Sequence, residues 1–240
     1  MQSQATLYKT PFSAAYWKQA ASELKSLRTL LLAAFFIAIR VALKTVYIPV
    51  ADNLNVYVGF VANALSGAIC GPVIALISGG VCDLLGWLIA PQGPFNPVFT
   101  LIEMAGSLIY ALWLYKTPIT LGKLFGAKAT VNVIVNITLE PIALSFMYSK
   151  GVLVYVIPRI VKNIILLPAE TFALALFFSA MAVPLKKLGA LSEEQANIKI
   201  TKAKIIALSA VAVVCIVCAV MYFTPINNAV KTSLKSLFGI

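Results

Sequence analysis

The stretch that decides the architecture of this chain is residues 67–100, GAICGPVIALISGGVCDLLGWLIAPQGPFNPVFT. An apolar run that begins at Gly71-Pro72 contains a single acid, Asp83, and ends in a proline-rich loop. An acid within a membrane helix is costly and usually faces protein or a water-filled cavity. A polar helix face beside a stiff loop that carries aromatic residues therefore predicts a small-molecule pocket in a membrane protein.

The composition places the chain among membrane proteins that cross the bilayer several times. Of its 240 residues, 61% are hydrophobic and 11% are charged, and the mean hydropathy is +0.94, values outside the range of soluble domains. One helical span needs about 20 apolar residues, so there is room for roughly six or seven spans but not for a separate soluble domain. The N-terminal residues lack the pattern of a cleavable signal peptide, and we expect the first span to insert uncleaved.

The charges and the missing motifs exclude several classes of function. The net charge of +11 fits cytoplasmic loops and contact with anionic lipid headgroups, so we expect no nucleic-acid partner. Histidine is absent, which excludes histidine-based catalysis and histidine metal sites. We find no phosphate-binding loop, no HExxH and no GxSxG motif, and we predict a protein that is not an enzyme and has no metal or cofactor. The cysteines all lie in apolar runs and are interpreted as small apolar side chains: Cys70, Cys82, Cys215 and Cys218.

The predicted fold is an all-α integral membrane protein, a six-helix bundle followed by a seventh, C-terminal helix. We divide the chain into a cytoplasmic amphipathic arm (1–27), a six-span substrate-binding bundle (28–184), a charged cytoplasmic loop (185–204) and the extra helix with its tail (205–240). The excess of Lys and Arg in loops on the N-terminal side predicts a cytoplasmic N-terminus. The approximate predicted spans are 30–47, 56–70, 73–89, 98–115, 130–148, 153–182 and 205–223.

The first span has two different faces. Ala34, Ala38 and Ala42 are spaced by four residues and form one stripe of small side chains, which lets another helix approach closely. At 100° per residue, Arg40 lies about 240° and Lys44 about 280° from Ala34. The cations therefore point away from the alanines, toward the protein interior or a wet cavity. We interpret the alanine stripe as a partner face and the cationic side as a ligand face.

The sixth span adds further cations near the same end. Arg159 and Lys162 fall on one helical face, with Glu170 deeper on that face. Together with the cations of the first span they predict an anion site, since arginine in particular matches carboxylate geometry. The alternative is structural pairing, in which Glu103, Glu140 or Glu170 neutralises these cations; the two roles are compatible. The candidate anion-binding residues are Arg40, Lys44, Arg159 and Lys162.

The proline-rich loop supplies aromatic candidates. Trp87, Phe95 and Phe99 lie on or beside it, and a flat heterocycle can stack against such side chains. Asn96 and Asn136 are candidates for hydrogen bonds to ring nitrogens. Asp83 either orients a group in the pocket or pairs with a cation.

Several segments carry a resemblance to a known family. They are LRTLLLAAFFIAIRVAL at 27–43, the 67–100 block, VIVNITLE at 133–140 and PRIVKNIILLP at 158–168. With them the chain resembles the substrate-binding S component of an energy-coupling factor (ECF) vitamin transporter, closest to the folate type. The resemblance implies a six-helix bundle in a bacterial-type cell membrane, with a vitamin pocket near the outer face that is closed by the loops after spans one and three.

The resemblance also implies partners. These are a transmembrane scaffold subunit and two ATPase subunits, with Ala34 and Ala38 meeting the scaffold. The S component is expected to topple within the bilayer to release its vitamin inside the cell.

The chain departs from the family pattern at residues 185–240 and at Glu140-Pro141. These departures leave another anionic vitamin, such as pantothenate, as an alternative ligand. Two other classes also stay open. One is a stand-alone proton-coupled carrier that uses Asp83, Glu103 or Glu170. The other is a structural membrane protein whose ion pairs only hold helices together.

Overall fold

The computed structural model describes residues 8, 11, 13–51, 54–91, 93–196, 209–215 and 217. Within these residues the protein is almost entirely helical, which confirms the predicted all-α membrane class. Residues 209–215 and 217 are helical, and the rest of the predicted seventh span lies outside the described residues. The elements are α1 (Ala14–Ser22), a 3-10 turn (Glu23–Lys25), α2 (Leu27–Lys44), β1 (Tyr47–Ala51), β2 (Leu54–Tyr57), α3 (Phe60–Ile89), α4 (Pro97–Leu114), α5 (Leu121–Val131), a π-helical segment (Asn132–Leu139), α6 (Glu140–Tyr148), α7 (Val152–Lys187) and α8 (Glu193–Ala196).

Helix α1 of the predicted arm packs against the bundle. Helices α1 and α2 meet at an elbow of 84°, and Ser26 caps the start of α2 by accepting a hydrogen bond from the backbone N–H of Thr29 (3.3 Å). Tyr16 and Ala20 are fully buried, and the Tyr16 hydroxyl donates to the carbonyl of Ala111 in α4 (3.3 Å). One face of α1 is therefore buried against protein.

Helix α3 folds back on itself at Gly71. A Cβ built on Gly59 would lie 3.8 Å from Cβ of Leu43, and one built on Gly86 would lie 2.5 Å from Cδ of Lys44. Positions near both ends of α3 therefore lie beside consecutive residues of α2. A straight helix of 30 residues would be about 45 Å long and would hold its ends far apart, so α3 must reverse direction. The reversal occurs where Gly71 has φ 81° and ψ 172°, a conformation that glycine adopts without steric cost.

The reversal accounts for the number of membrane passes. By length and composition, four described helices can cross a membrane, or five if the bent pair of α1 and α2 counts as one span. Since α3 contributes two antiparallel halves, the five candidate spans present six helical segments. The halves correspond to the predicted spans 56–70 and 73–89.

Close contact between α3 and α4 depends on glycine. A Cβ on Gly67 would lie 2.9 Å from the backbone nitrogen of Ala111, and one on Gly79 would lie 2.9 Å from both Cα of Met104 and Oγ of Ser107. Small residues let membrane helices approach until their backbones touch. These two glycines therefore set the spacing of the helices that carry several of the polar side chains described below.

The helix that continues through α5, the π segment and α6 begins earlier than the sequence predicted. The predicted span begins at residue 130, whereas the helix begins at Leu121, and Lys128 is only 3% exposed. Burial of this ammonium is compensated by an ion pair with Glu170. The π segment ends at Leu139, two residues before Pro141, whose missing N–H interrupts regular helical hydrogen bonding.

Helix α7 is longer than the predicted sixth span of 153–182. It includes Pro158, Pro168 and Pro184 and ends at Lys187. The loop predicted to begin at residue 185 therefore starts inside the helix.

Strands β1 and β2 form an antiparallel hairpin that was not predicted from the sequence. Tyr47 pairs with Tyr57 and Ile48 with Val56, and an irregularity falls between Pro49 and Ala51. The Tyr47 and Tyr57 ring centroids are 5.7 Å apart, a typical cross-strand aromatic contact. The end of the bundle that carries this hairpin and the loop between α3 and α4 is called the hairpin end.

We expect Gly79→Ala to destabilise the protein by about 1–3 kcal/mol, because the added methyl group clashes with the backbone of α4. Gly122 has no atom within 4 Å of a built Cβ, so Gly122→Ala is the matched control and should change stability little. Thermal unfolding in detergent measures both. Equal unfolding temperatures for the two variants would contradict close packing at Gly79.

Candidate functional site

One group of polar side chains, the α2–α4 cluster, is centred on Arg40. Nη2 of Arg40 donates to Oε1 of Glu103 (2.6 Å) and to Oγ of Ser107 (2.9 Å). Arg40 is only 3% exposed, and its Nη1 is buried without a hydrogen-bond partner in the described part of the chain. The guanidinium therefore has donors left for a further acceptor.

The same cluster extends toward the hairpin end through Asp83. Its Oδ1 lies 3.2 Å from Nζ of Lys44, and its Oδ2 accepts a hydrogen bond from the Thr100 hydroxyl (2.8 Å). The stem of Lys44 lies against Gly86, where a Cβ would come within 2.5 Å of Cδ. Both carboxylate oxygens of Asp83 are thus engaged, as in the pairing alternative.

A second group, the α5–α7 cluster, joins the long helix of α5 and α6 to α7. Glu170 pairs with Lys128 (3.2 Å) and accepts a hydrogen bond from Nδ2 of Asn132 (3.2 Å). Nδ2 of Asn136 donates to Oδ1 of Asn132 (2.9 Å) and to Oδ1 of Asn163 (3.0 Å). These contacts form one continuous hydrogen-bonded row between the helices.

One end of this cluster lies near the hairpin. Arg159 pairs with Glu140 through Nε and Oε2 (3.4 Å), and Nζ of Lys162 donates to the backbone carbonyl of Asn55 in β2 (3.0 Å). Lys162 thereby ties the hairpin to α7. Within the described residues, no carboxylate lies in ion-pair distance of Lys162.

Pairing therefore accounts for most of the buried charge. Four carboxylates of the bundle each contact a cation on another helix: Glu103, Asp83, Glu170 and Glu140. This is the structural pairing given above as the alternative to an anion site. Among the described cations of the two clusters, Lys162 has no carboxylate partner and Arg40 has an unused Nη1.

The aromatic candidates divide into two groups. Trp87 and Phe95 are together, with ring centroids 5.3 Å apart, and the indole N–H of Trp87 donates to the carbonyl of Gly93 (2.9 Å). Phe99 instead packs against the main hydrophobic core. Asn96 caps α4, since its Oδ1 accepts from the backbone N–H of Val98 (3.0 Å), so this oxygen is already engaged.

The two faces of α2 are opposed as the spacing predicted. Ala34, Ala38 and Ala42 are all exposed, whereas Arg40 is buried. Bulky apolar side chains flank the alanines, with Phe35 59% exposed. The stripe is therefore accessible to lipid or to another helix.

Sequence reasoning missed several members of the clusters. Thr100, Ser107 and Asn132 were not singled out, and Lys128 was assigned to a loop. The spacing of Asn132 and Asn136 by four residues places them on one helical face, and this was a usable signal. The side chains that complete the Arg40 and Asp83 contacts come from α4, whose register against α2 and α3 cannot be read from sequence.

The helices and buried ion pairs define a multi-pass, all-α membrane protein with a polar interior. No family model matches the chain. It is homologous to two proteins named Folate transporter FolT. The one from Clostridium novyi (strain NT) is 28% identical over 151 residues, which cover 63% of this chain and 88% of that protein. The one from Leuconostoc mesenteroides subsp. mesenteroides is 29% identical over 149 residues, 60% of this chain and 80% of that protein.

A solved structure supports the same relationship. A FolT chain crystallised with folic acid superposes with a TM-score of 0.56 and 29% sequence identity, covering 61% of this chain and 89% of that chain. Sequence and structure thus both relate this protein to FolT.

We expect Glu103→Leu to cost about 3–5 kcal/mol of stability, because it leaves the buried Arg40 guanidinium without its anion. The double variant Arg40→Leu with Glu103→Leu removes both charges and should be more stable than the single variant. Thermal unfolding in detergent of the unaltered protein, of Arg40→Leu, of Glu103→Leu and of the double variant gives the coupling. A double variant that is no more stable than Glu103→Leu would show that the pair does not stabilise the bundle.

Proposed function

We propose that this protein is a substrate-capture subunit, the folate-binding S component of an ECF-type importer. The observation that carries the proposal is its likeness to the FolT chain crystallised with folic acid, over 89% of that chain. Homology to the two named folate transporters supports it from sequence. The protein acts by binding and not by catalysis.

Folate carries carboxylates at one end and a flat pterin ring at the other. Two features favour an anion at the hairpin end of the bundle. Nη1 of Arg40 is buried without a described partner, and among the described residues the ammonium of Lys162 donates to a backbone carbonyl and pairs with no carboxylate. Arg159 and Lys44 contribute positive charge while they remain paired with their acids. These cations bind the ligand carboxylates, and Arg40 does so through its unused donors.

The aromatic side chains near the loop between α3 and α4 flank the ring. Trp87 and Phe95 are exposed enough to contact it, and Phe99 packs against the core. Asn96 and Asn136 offer polar contacts to ring atoms, and Asp83 positions the Lys44 ammonium. Stacking of a heterocycle on such rings adds affinity beyond simple burial of area.

Uptake requires partners that drive release. We infer a transmembrane scaffold subunit that contacts the exposed alanine stripe of α2, and two ATPase subunits bound to that scaffold. The N-terminus then lies in the cytoplasm, and the hairpin end faces outward to receive the vitamin. Helix α2 can contact both the scaffold and the ligand, since its alanines face out of the bundle while Arg40 faces inward.

A stand-alone proton-coupled carrier is less well supported. Such a carrier needs a carboxylate that gains and loses a proton during transport. The four described carboxylates of the bundle are instead each neutralised by a cation.

Lys162→Gln should weaken folate binding by about 10-fold or more, because it removes an ammonium that no described acid neutralises. Lys150→Gln is the matched control, since Lys150 is exposed at the turn before α7. Equilibrium binding of folic acid and of pantothenate to the purified protein measures both effects. Equal affinity in the two variants would contradict the role of Lys162, and absence of folic acid binding to the unaltered protein would contradict the proposed ligand.

Ala38→Leu should abolish ATP-driven folate uptake in cells while leaving folic acid binding by the isolated subunit unchanged. The reason is that a bulky side chain blocks close approach of a partner helix at the alanine stripe. Ala180→Leu on the exposed side of α7 is the control and should transport normally. Normal uptake by the Ala38 variant would refute the partner face.

A further inference from the structure

The α5–α7 cluster contains a row of three asparagine side chains, here called the amide row. It consists of Asn132 and Asn136 on the π segment and Asn163 on α7. Asn136 is central and donates through Nδ2 to Oδ1 of Asn132 (2.9 Å) and to Oδ1 of Asn163 (3.0 Å). The direction of each hydrogen bond in this row determines what the central amide can offer to a ligand.

Both ends of the amide row contact groups that can only accept. At one end, Nδ2 of Asn132 donates to the Glu170 carboxylate (3.2 Å), which the Lys128 ammonium neutralises. At the other end, Nδ2 of Asn163 donates to the backbone carbonyl of Arg159 (2.8 Å). A carboxylate and a carbonyl have no hydrogen to give, so both terminal amides must turn their NH₂ groups outward and their oxygens toward Asn136.

This arrangement fixes the orientation of Asn136. With an oxygen on each side, its NH₂ group must face both neighbours, and the flipped amide would bring three carbonyl oxygens together. An amide NH₂ group has two hydrogens, and each is used in one of these bonds. The group left over is Oδ1 of Asn136, which receives no hydrogen bond from any group in the described part of the chain, on a side chain that is only partly buried.

We propose that Oδ1 of Asn136 determines specificity by accepting a hydrogen bond from an N–H donor on the flat ring of the ligand. The inference rests on the proposed folate function and extends it. The pterin of folate carries an amino group and a ring N–H along one edge, and either can donate to a single carbonyl oxygen. A ring without that donor leaves the oxygen desolvated and unpaired, which weakens binding.

The amide row also explains why the site prefers a hydrogen-bond donor on the ligand ring to an acceptor. Because Asn136 is held from both sides, it cannot rotate to donate to a ring that offers an acceptor. Asn132 and Asn163 are therefore positioning residues that act through Asn136. The pair of Lys128 and Glu170 fixes the Asn132 end of the row, and the Arg159 carbonyl fixes the Asn163 end.

The test compares folic acid with two analogues, 2-desamino-2-methylfolic acid and N3-methylfolic acid, each of which lacks one donor. Equilibrium binding is measured for the full chain and for Asn136→Leu, with thermal unfolding as a check of folding. We expect the unaltered protein to bind at least one analogue about 10- to 100-fold more weakly than folic acid. We expect that difference to fall to about threefold or less in Asn136→Leu.

A second variant separates specificity from simple structural damage. Asn132→Ala with Asn163→Ala retains Asn136 but frees its amide to rotate, so folic acid should still bind while discrimination against the analogue falls. Discrimination that is unchanged in both variants, or absent in the unaltered protein, would overturn the inference while leaving folate binding intact. Failure of the unaltered protein to bind folic acid would overturn the proposed function and this inference with it.

Discussion

The structure depends on keeping charged side chains inside an apolar helical bundle. Charge in such an environment is tolerated when it is paired and hydrogen-bonded, and each described ion pair of the bundle joins two helices. Arg40 connects α2 to α4, Lys44 connects α2 to α3, Lys128 connects α5 to α7, and Arg159 connects α7 to α6. Apolar helix surfaces can pack in several relative positions at similar cost. Each ion pair, in contrast, allows its two helices few relative positions. They therefore specify how the helices are aligned.

This use of charge has a consequence for ligand binding. An empty site lined by several unpaired cations would be strongly destabilised by their mutual repulsion. Distribution of the cations over two clusters, with an acid beside most of them, lets the protein fold before any anion arrives. Within the described part of the bundle, the donors that remain on Arg40 and Lys162 are few enough to be tolerated without a ligand.

The sequence predicted those parts of the fold that depend on periodicity and composition. The opposite faces of α2 followed from the spacing of Ala34 and Arg40, and the two halves of α3 followed from the Gly71-Pro72 break. The hairpin was missed because it falls between the predicted spans 30–47 and 56–70, where Pro49 is unusual within a strand. Burial of Lys128 was missed because only the tertiary position of Glu170 makes it tolerable. Side-chain contacts such as Asn96 capping α4 depend on local geometry that composition does not reveal.

The reversal at Gly71 bears on how the chain enters the membrane. The half of α3 before the turn, residues 60–70, is roughly 16 Å long at the rise of an α-helix, while the hydrocarbon core is about 30 Å thick. Such a segment cannot be recognised as a span by itself during synthesis. Its place in the membrane therefore depends on the longer half that follows and on the turn that joins the two. Biogenesis of the protein then depends on a backbone conformation at a single glycine that contacts no part of the predicted ligand site.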